Sequence, residues 1–103
     1  QTAALELLIK TSGCDVNKMA EDGSTPAYIA AWKGQTAALE VLVKAGCALD
    51  QANWLGRTPA FTAAQCGQTA ALEVLVEAGC DLNKADNEGA TPAYIAAQEG
   101  QTA

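Results

Sequence analysis

The chain repeats itself with a period of 33 residues. Gln35-Thr-Ala-Ala-Leu-Glu-Val-Leu-Val-Lys-Ala-Gly-Cys47 returns as Gln68-Thr-Ala-Ala-Leu-Glu-Val-Leu-Val-Glu-Ala-Gly-Cys80. A further copy runs from Gln1 to Cys14 with one extra residue near Thr11 and Ser12. Thr25-Pro-Ala-Tyr-Ile-Ala-Ala31 returns as Thr58-Pro-Ala-Phe-Thr-Ala-Ala64 and Thr91-Pro-Ala-Tyr-Ile-Ala-Ala97. A fixed period in this range signals a stacked solenoid, in which each unit buries its apolar face on its neighbours. Positions that agree between copies serve that packing. Positions that differ are free to serve something else.

Each unit reads as a helical hairpin. A polar stretch such as Asn83-Lys-Ala-Asp-Asn-Glu-Gly89 is rich in turn formers. Thr91-Pro92 then opens a short helix to about Gln98, with Thr as N-cap and Pro in the first turn, where a missing N–H costs nothing. Gly100 stops it, as Gly34 and Gly67 stop the earlier copies. The second helix is clearest from Gln35 to Lys44, where Ala38, Leu39, Leu42 and Val43 form one apolar stripe. The expected fold class is all-α, a solenoid of stacked helix-turn-helix units joined by β-turn-like loops.

In 103 residues this makes one domain, 1–103. Its units are a second-helix half repeat at 1–19, full repeats at 20–52 and 53–85, and a partial repeat at 86–103. Apolar residues make up 50% and aromatics only 5%, so the core must be aliphatic and small, which suits close helix packing.

The order Gly-x-Thr-Pro, short helix, Gly, longer helix, Gly-Cys-Asp-Leu-Asn resembles the ankyrin repeat over essentially the whole chain. The resemblance implies a non-enzymatic module that binds protein partners through its turn tips and the concave face of its first helices. The usual Thr-Pro-Leu-His of the family is Thr-Pro-Ala-Tyr at 25–28 and 91–94, and Thr-Pro-Ala-Phe at 58–61. Leu shrinks as His grows, a trade that keeps core volume. In the family that His ties neighbouring turns by hydrogen bonds. Tyr28 and Tyr94 have hydroxyls for such a contact and Phe61 has none, so the middle turn is expected to be held less firmly. The phase of the repeats suggests a piece of a longer array with uncapped ends.

Composition limits the functional classes. The net charge of −6 argues against nucleic acid, whose phosphates demand a basic face. Residues 68–103 carry Lys84 against six acids, a solvated face by the simplest reading. No apolar run approaches the roughly 18 residues of a membrane span, and no signal or transit segment opens the chain. Cys14, Cys47 and Cys80 share one repeat position, hence successive layers about 8–10 Å apart. That exceeds the roughly 7 Å reach of a disulfide. Without His or close Cys pairs, no zinc site is expected. These thiols read as small core residues in the cytoplasm or another reducing intracellular compartment, and Cys66 as more exposed. No general base, phosphate loop or tuned carboxylate pair is visible, so no catalytic residue, cofactor or metal is assigned.

Comparison of the copies marks the candidate surface. The tips read Glu21-Asp22, Trp54-Leu55 and Asn87-Glu88, followed after the turn glycine by Ser24, Arg57 and Ala90. The first helices end in Trp32-Lys33, Gln65-Cys66 and Gln98-Glu99. Trp and Arg are enriched at interface hot spots. Trp32, Trp54, Leu55 and Arg57 are therefore the expected partner-binding patch, flanked by Glu21, Asp22, Lys33, Asn87 and Glu88. The alternative is a structural spacer, or a segment that stacks head to tail through its uncapped ends. Sedimentation over a range of concentrations separates these, because self-assembly alone makes the sedimenting mass rise with concentration.

Overall fold

The computed structural model describes residues 19–100. Cys14, the opening half unit and both ends of the stack lie outside the described residues. Five helices follow in order: α1 (Pro26–Lys33), α2 (Thr36–Lys44), α3 (Pro59–Gln65), α4 (Thr69–Glu77) and α5 (Pro92–Gln98). Among the described residues there is no strand, so the all-α expectation holds. Helices α1, α3 and α5 stack as one layer, and α2 and α4 stack as the other.

The helix starts follow from local chemistry. Thr25, Thr58 and Thr91 sit in extended backbone, and each Oγ1 accepts the N–H three residues on, from Tyr28, Phe61 and Tyr94 at 3.1–3.2 Å. Thr58 is fully buried. Thr58→Ala is expected to cost about 1–2 kcal/mol, and Thr58→Ser much less, because only Ala removes the acceptor. Thermal melting of the two variants checks this.

The stops need glycine. Gly34 takes φ 71° to end α1, and the next N–H, of Gln35, reaches back to the Ala30 carbonyl at 2.9 Å. This is the left-handed cap in which Gly carries no steric penalty. Gln35 and Gln68 give α2 and α4 no side-chain cap. Gln68 works elsewhere: its Nε2 donates to the Trp32 carbonyl at 3.1 Å and so ties the end of α1 to the next unit.

Small residues let the layers close. Ala27, Ala31, Ala60 and Ala63 are fully buried between the layers, together with Leu39 and Leu75 from the second helices. The aromatic that follows each Thr-Pro-Ala does not behave alike in the three units. Phe61 is 1% exposed, Tyr28 half-buried, and Tyr94 60% exposed. The expected volume trade is thus realised in the middle layer, where Phe61 meets Ala64, Ile95 and Ala96. Neither tyrosine hydroxyl makes a hydrogen bond among the described residues. The middle turn is not the weak one either: the Arg57 guanidinium lies 5.0 Å from the Phe61 ring centroid and bonds to Asp86 of the next turn.

The thiols at the shared repeat position are not alike, and Cys66 is exposed as expected. Cys47 is buried, Cys80 half-buried and Cys66 exposed, and all three are free. Burial pushes the Cys47 thiol up. Burial, with the Asp50 and Asp81 charges, pushes Cys80 to about 11. Both therefore stay protonated and poorly nucleophilic at neutral pH.

Candidate functional site

The turn tips form a ladder across the units. Within each tip one backbone pair closes the loop: Ala20 with Ser24, Asn53 with Arg57, and Asp86 with Ala90, at 2.8–3.0 Å. Between tips, the Trp54 N–H donates to the Asp22 carbonyl at 3.1 Å and the Asn87 N–H to the Leu55 carbonyl at 2.9 Å. The Asn87 side chain adds Nδ2 to the Trp54 carbonyl at 2.8 Å. Trp54 is thereby held by its backbone on both sides while its side chain stays out. A Cβ built on Gly23, at φ 85°, would lie 2.7 Å from Trp54 Cδ1, so the indole rests on that glycine.

One repeat position organises the second and third tips by its side chain. Asn53 Oδ1 accepts the N–H groups of Leu55 and Arg57 at 3.0 and 3.1 Å. Asp86 Oδ1 accepts those of Glu88 and Ala90, both at 2.9 Å. The first tip has Ala20 there and no acceptor; Asp22, two residues on, takes over and accepts the Ser24 N–H at 3.0 Å.

Asp86 is a buried carboxylate, its side chain 2% exposed, paired with Arg57 Nε at 3.4 Å. The Ala90 N–H does most to hold its carboxyl below the ordinary 3.8; burial opposes this, and the Glu88 N–H and Arg57 add to the lowering. A carboxyl depressed on folding contributes stability that is complete above the unfolded value near 3.8 and is lost as pH falls through the lower folded value. Asp86→Asn keeps an oxygen for the two N–H groups, as Asn53 does in its own tip. The variant is expected to fold and to lose part of the acid dependence that sets in as pH falls below 3.8. Melting temperatures taken from about pH 5 down to about pH 2 test this.

The groove lies where the tips meet α1 and α3. It encloses about 300 Å³ and gathers Asp22, Leu55 and Arg57 from the tips and Trp32 from the end of α1. Four residues marked by the sequence thus share one wall system. The groove adds Ser24 and Asn53 from the tips, Tyr28 and Ile29 from α1, and Thr62, Gln65 and Cys66 around the end of α3. Ser24, Gln65 and Cys66 stand at positions where the copies differ, the signal that marks them in the sequence. Ile29 and Thr62 share a position at which the copies also differ, Ile29, Thr62 and Ile95, and Tyr28 varies only between Tyr and Phe; all three lie inside the first helices, where the repeat reads as packing.

The remaining marked residues stand elsewhere. Trp54 is 71% exposed but does not line the groove, and neither do Glu21, Asn87 and Glu88. Lys33 does not line it either; its ammonium lies 5.9 Å from the Trp32 ring centroid. Arg57 is less free than its tip position suggests, since it is stacked on Phe61 and bridged to Asp86. A second depression of about 300 Å³ lies between α2 and α4, lined by Glu40, Val43, Lys44, Val74, Glu77 and Ala78. No tip residue reaches it.

Among the described residues no group of three or more His, Cys, Asp or Glu is placed to hold a metal ion. No helix there is long and apolar enough to cross a membrane.

The two-layer stack, the Thr-Pro caps and the laddered tips agree with the comparison to known families. The family model described as ankyrin repeats, in three copies, matches residues 1–86 and residues 39–103, which together take in the whole chain. The chain belongs to the ankyrin-repeat family. Members of this family are generally protein–protein interaction modules and typically not enzymes. No curated protein matches the chain.

Proposed function

We propose that the chain is a non-enzymatic interaction module that binds a protein partner along the groove between the tips and α1 and α3. The observation that carries this is the convergence of Trp32 and Leu55, 48% and 55% exposed, on one cavity together with Asp22 and Arg57. Large apolar side chains left half in water on a concave wall are what an interface core is made from. The tip backbone is already laddered, so docking orders few new groups and more of the contact energy appears as affinity. Arg57 and Asn87 contribute by fixing the wall. Trp54, Glu21, Lys33 and Glu88 extend the surface around it. The free thiols suit a reducing compartment as the place where this happens.

The test is a side-by-side capture from lysate of the source cells, with the chain and its Trp32→Ala/Leu55→Ala variant. A protein held by the first and lost from the second supports the reading. A protein held equally by both moves the binding surface away from the groove.

A further inference from the structure

Two polar groups of the groove have bonding capacity that the fold leaves unused. Ser24 is 2% exposed, and its hydroxyl has no hydrogen-bond partner. Buried hydroxyls in folded proteins nearly always have one, because an unpaired hydroxyl forfeits the bonds it made in water. The repeat does not demand serine here, since the same position holds Arg57 and Ala90 in the other units. Asp22 is the second group. Its Oδ1 accepts the Ser24 N–H, which does most to keep the carboxyl ionised, and the nearby Ser24 hydroxyl adds to this without the geometry of a hydrogen bond. Among the described residues no Lys or Arg pairs with Asp22.

Charge decides what would fit. Arg57 also lines the groove, but its guanidinium is engaged by Asp86 and stacked on Phe61. Among the residues that line the groove, with Asp86 counted beside Arg57, Asp22 is the charge that no side chain pairs with. Trp32 forms part of the same wall, and Lys33 already holds an ammonium over its ring. Indole faces attract cations, arginine most readily because its planar fork both stacks and donates to two acceptors at once. A cavity of about 300 Å³ stands at the low end for ligand pockets, which suits a long side chain better than a cofactor.

We infer that the groove contains a subsite for a basic side chain of the partner, arginine above all, held between the Asp22 carboxylate, the Ser24 hydroxyl and the Trp32 indole. This rests on the groove being the partner surface. The rest of the chain favours the same guest: a net charge of −6 draws basic segments toward it.

A display library of random peptides, selected on the 103-residue chain, tests both levels. Winning peptides are re-measured on three variants. Asp22→Asn keeps an oxygen for the Ser24 N–H and removes only the charge. Ser24→Ala breaks no existing bond and should melt like the parent. Trp32→Ala removes the wall. The expected result is a set of arginine-bearing peptides whose affinity falls about tenfold or more on Asp22→Asn, and falls likewise when their arginine becomes norleucine. Peptides without a basic residue that ignore Asp22→Asn but are lost on Trp32→Ala would overturn the basic subsite and leave the groove standing. Peptides indifferent to all three variants would overturn both.

Discussion

Phe61→Ala is expected to be the most damaging single truncation in the stack, at about 3–5 kcal/mol. The ring is 1% exposed and fills the space between α3 and α5, against Ala64, Ile95 and Ala96. Ala64 and Ala96 have little side chain with which to close a cavity. The Arg57 guanidinium would also lose the face it rests on, and Arg57 ties the second tip to the third. Domains of this size are commonly stable by about 5–15 kcal/mol, so the variant approaches unfolding. The chain supplies its own control. Tyr94 occupies the equivalent position and is 60% exposed, so Tyr94→Ala should stay within about 0.5 kcal/mol of the parent. Urea unfolding followed by circular dichroism gives both values. Equal losses would mean that the middle layer is not what holds the units together.

The second large effect concerns binding. Trp32→Ala is expected to weaken the partner complex by at least about 30-fold, the size of a hot-spot loss of about 2 kcal/mol. Stability should change little, because the side chain is half in water at the end of α1. Trp54→Ala should weaken binding less, although Trp54 is the more exposed of the two. Hot-spot energy comes from desolvating a side chain inside a packed pocket, and Trp54 stands outside the cavity. Titration calorimetry with the captured partner measures both variants. A larger loss at Trp54 would place the centre of the interface on the outer tip.

What the sequence makes legible follows from the range of each interaction. The Thr58 cap, the proline of the first turn and the Gly34 stop are decided within a few residues of chain, and all three are visible in the repeat. The Arg57–Asp86 bridge joins residues 29 apart, each in a tip that reads as solvated surface, so nothing local marks Asp86 as buried. The unequal fates of Phe61 and Tyr94 are also hidden, since the same motif sits between two helices in one unit and at the margin of the described stack in another. The separation of Trp54 from the groove is hidden as well. Asn53, Leu55 and Arg57 line the cavity and Trp54 does not; in a turn closed by the Gly56 N–H on the Asn53 carbonyl, the direction of each side chain is set by the folded tip and not by a period in the sequence. Ser24 differs between copies, but its unpaired hydroxyl becomes apparent only once the tip is folded.

Amide hydrogen exchange of the chain, with and without its captured partner, tests the groove most directly. The expected result is slowed exchange over Ser24–Trp32 and Asn53–Arg57, with α2 and α4 unchanged. Protection confined to α2 and α4, around the depression between Glu40 and Glu77, would contradict it.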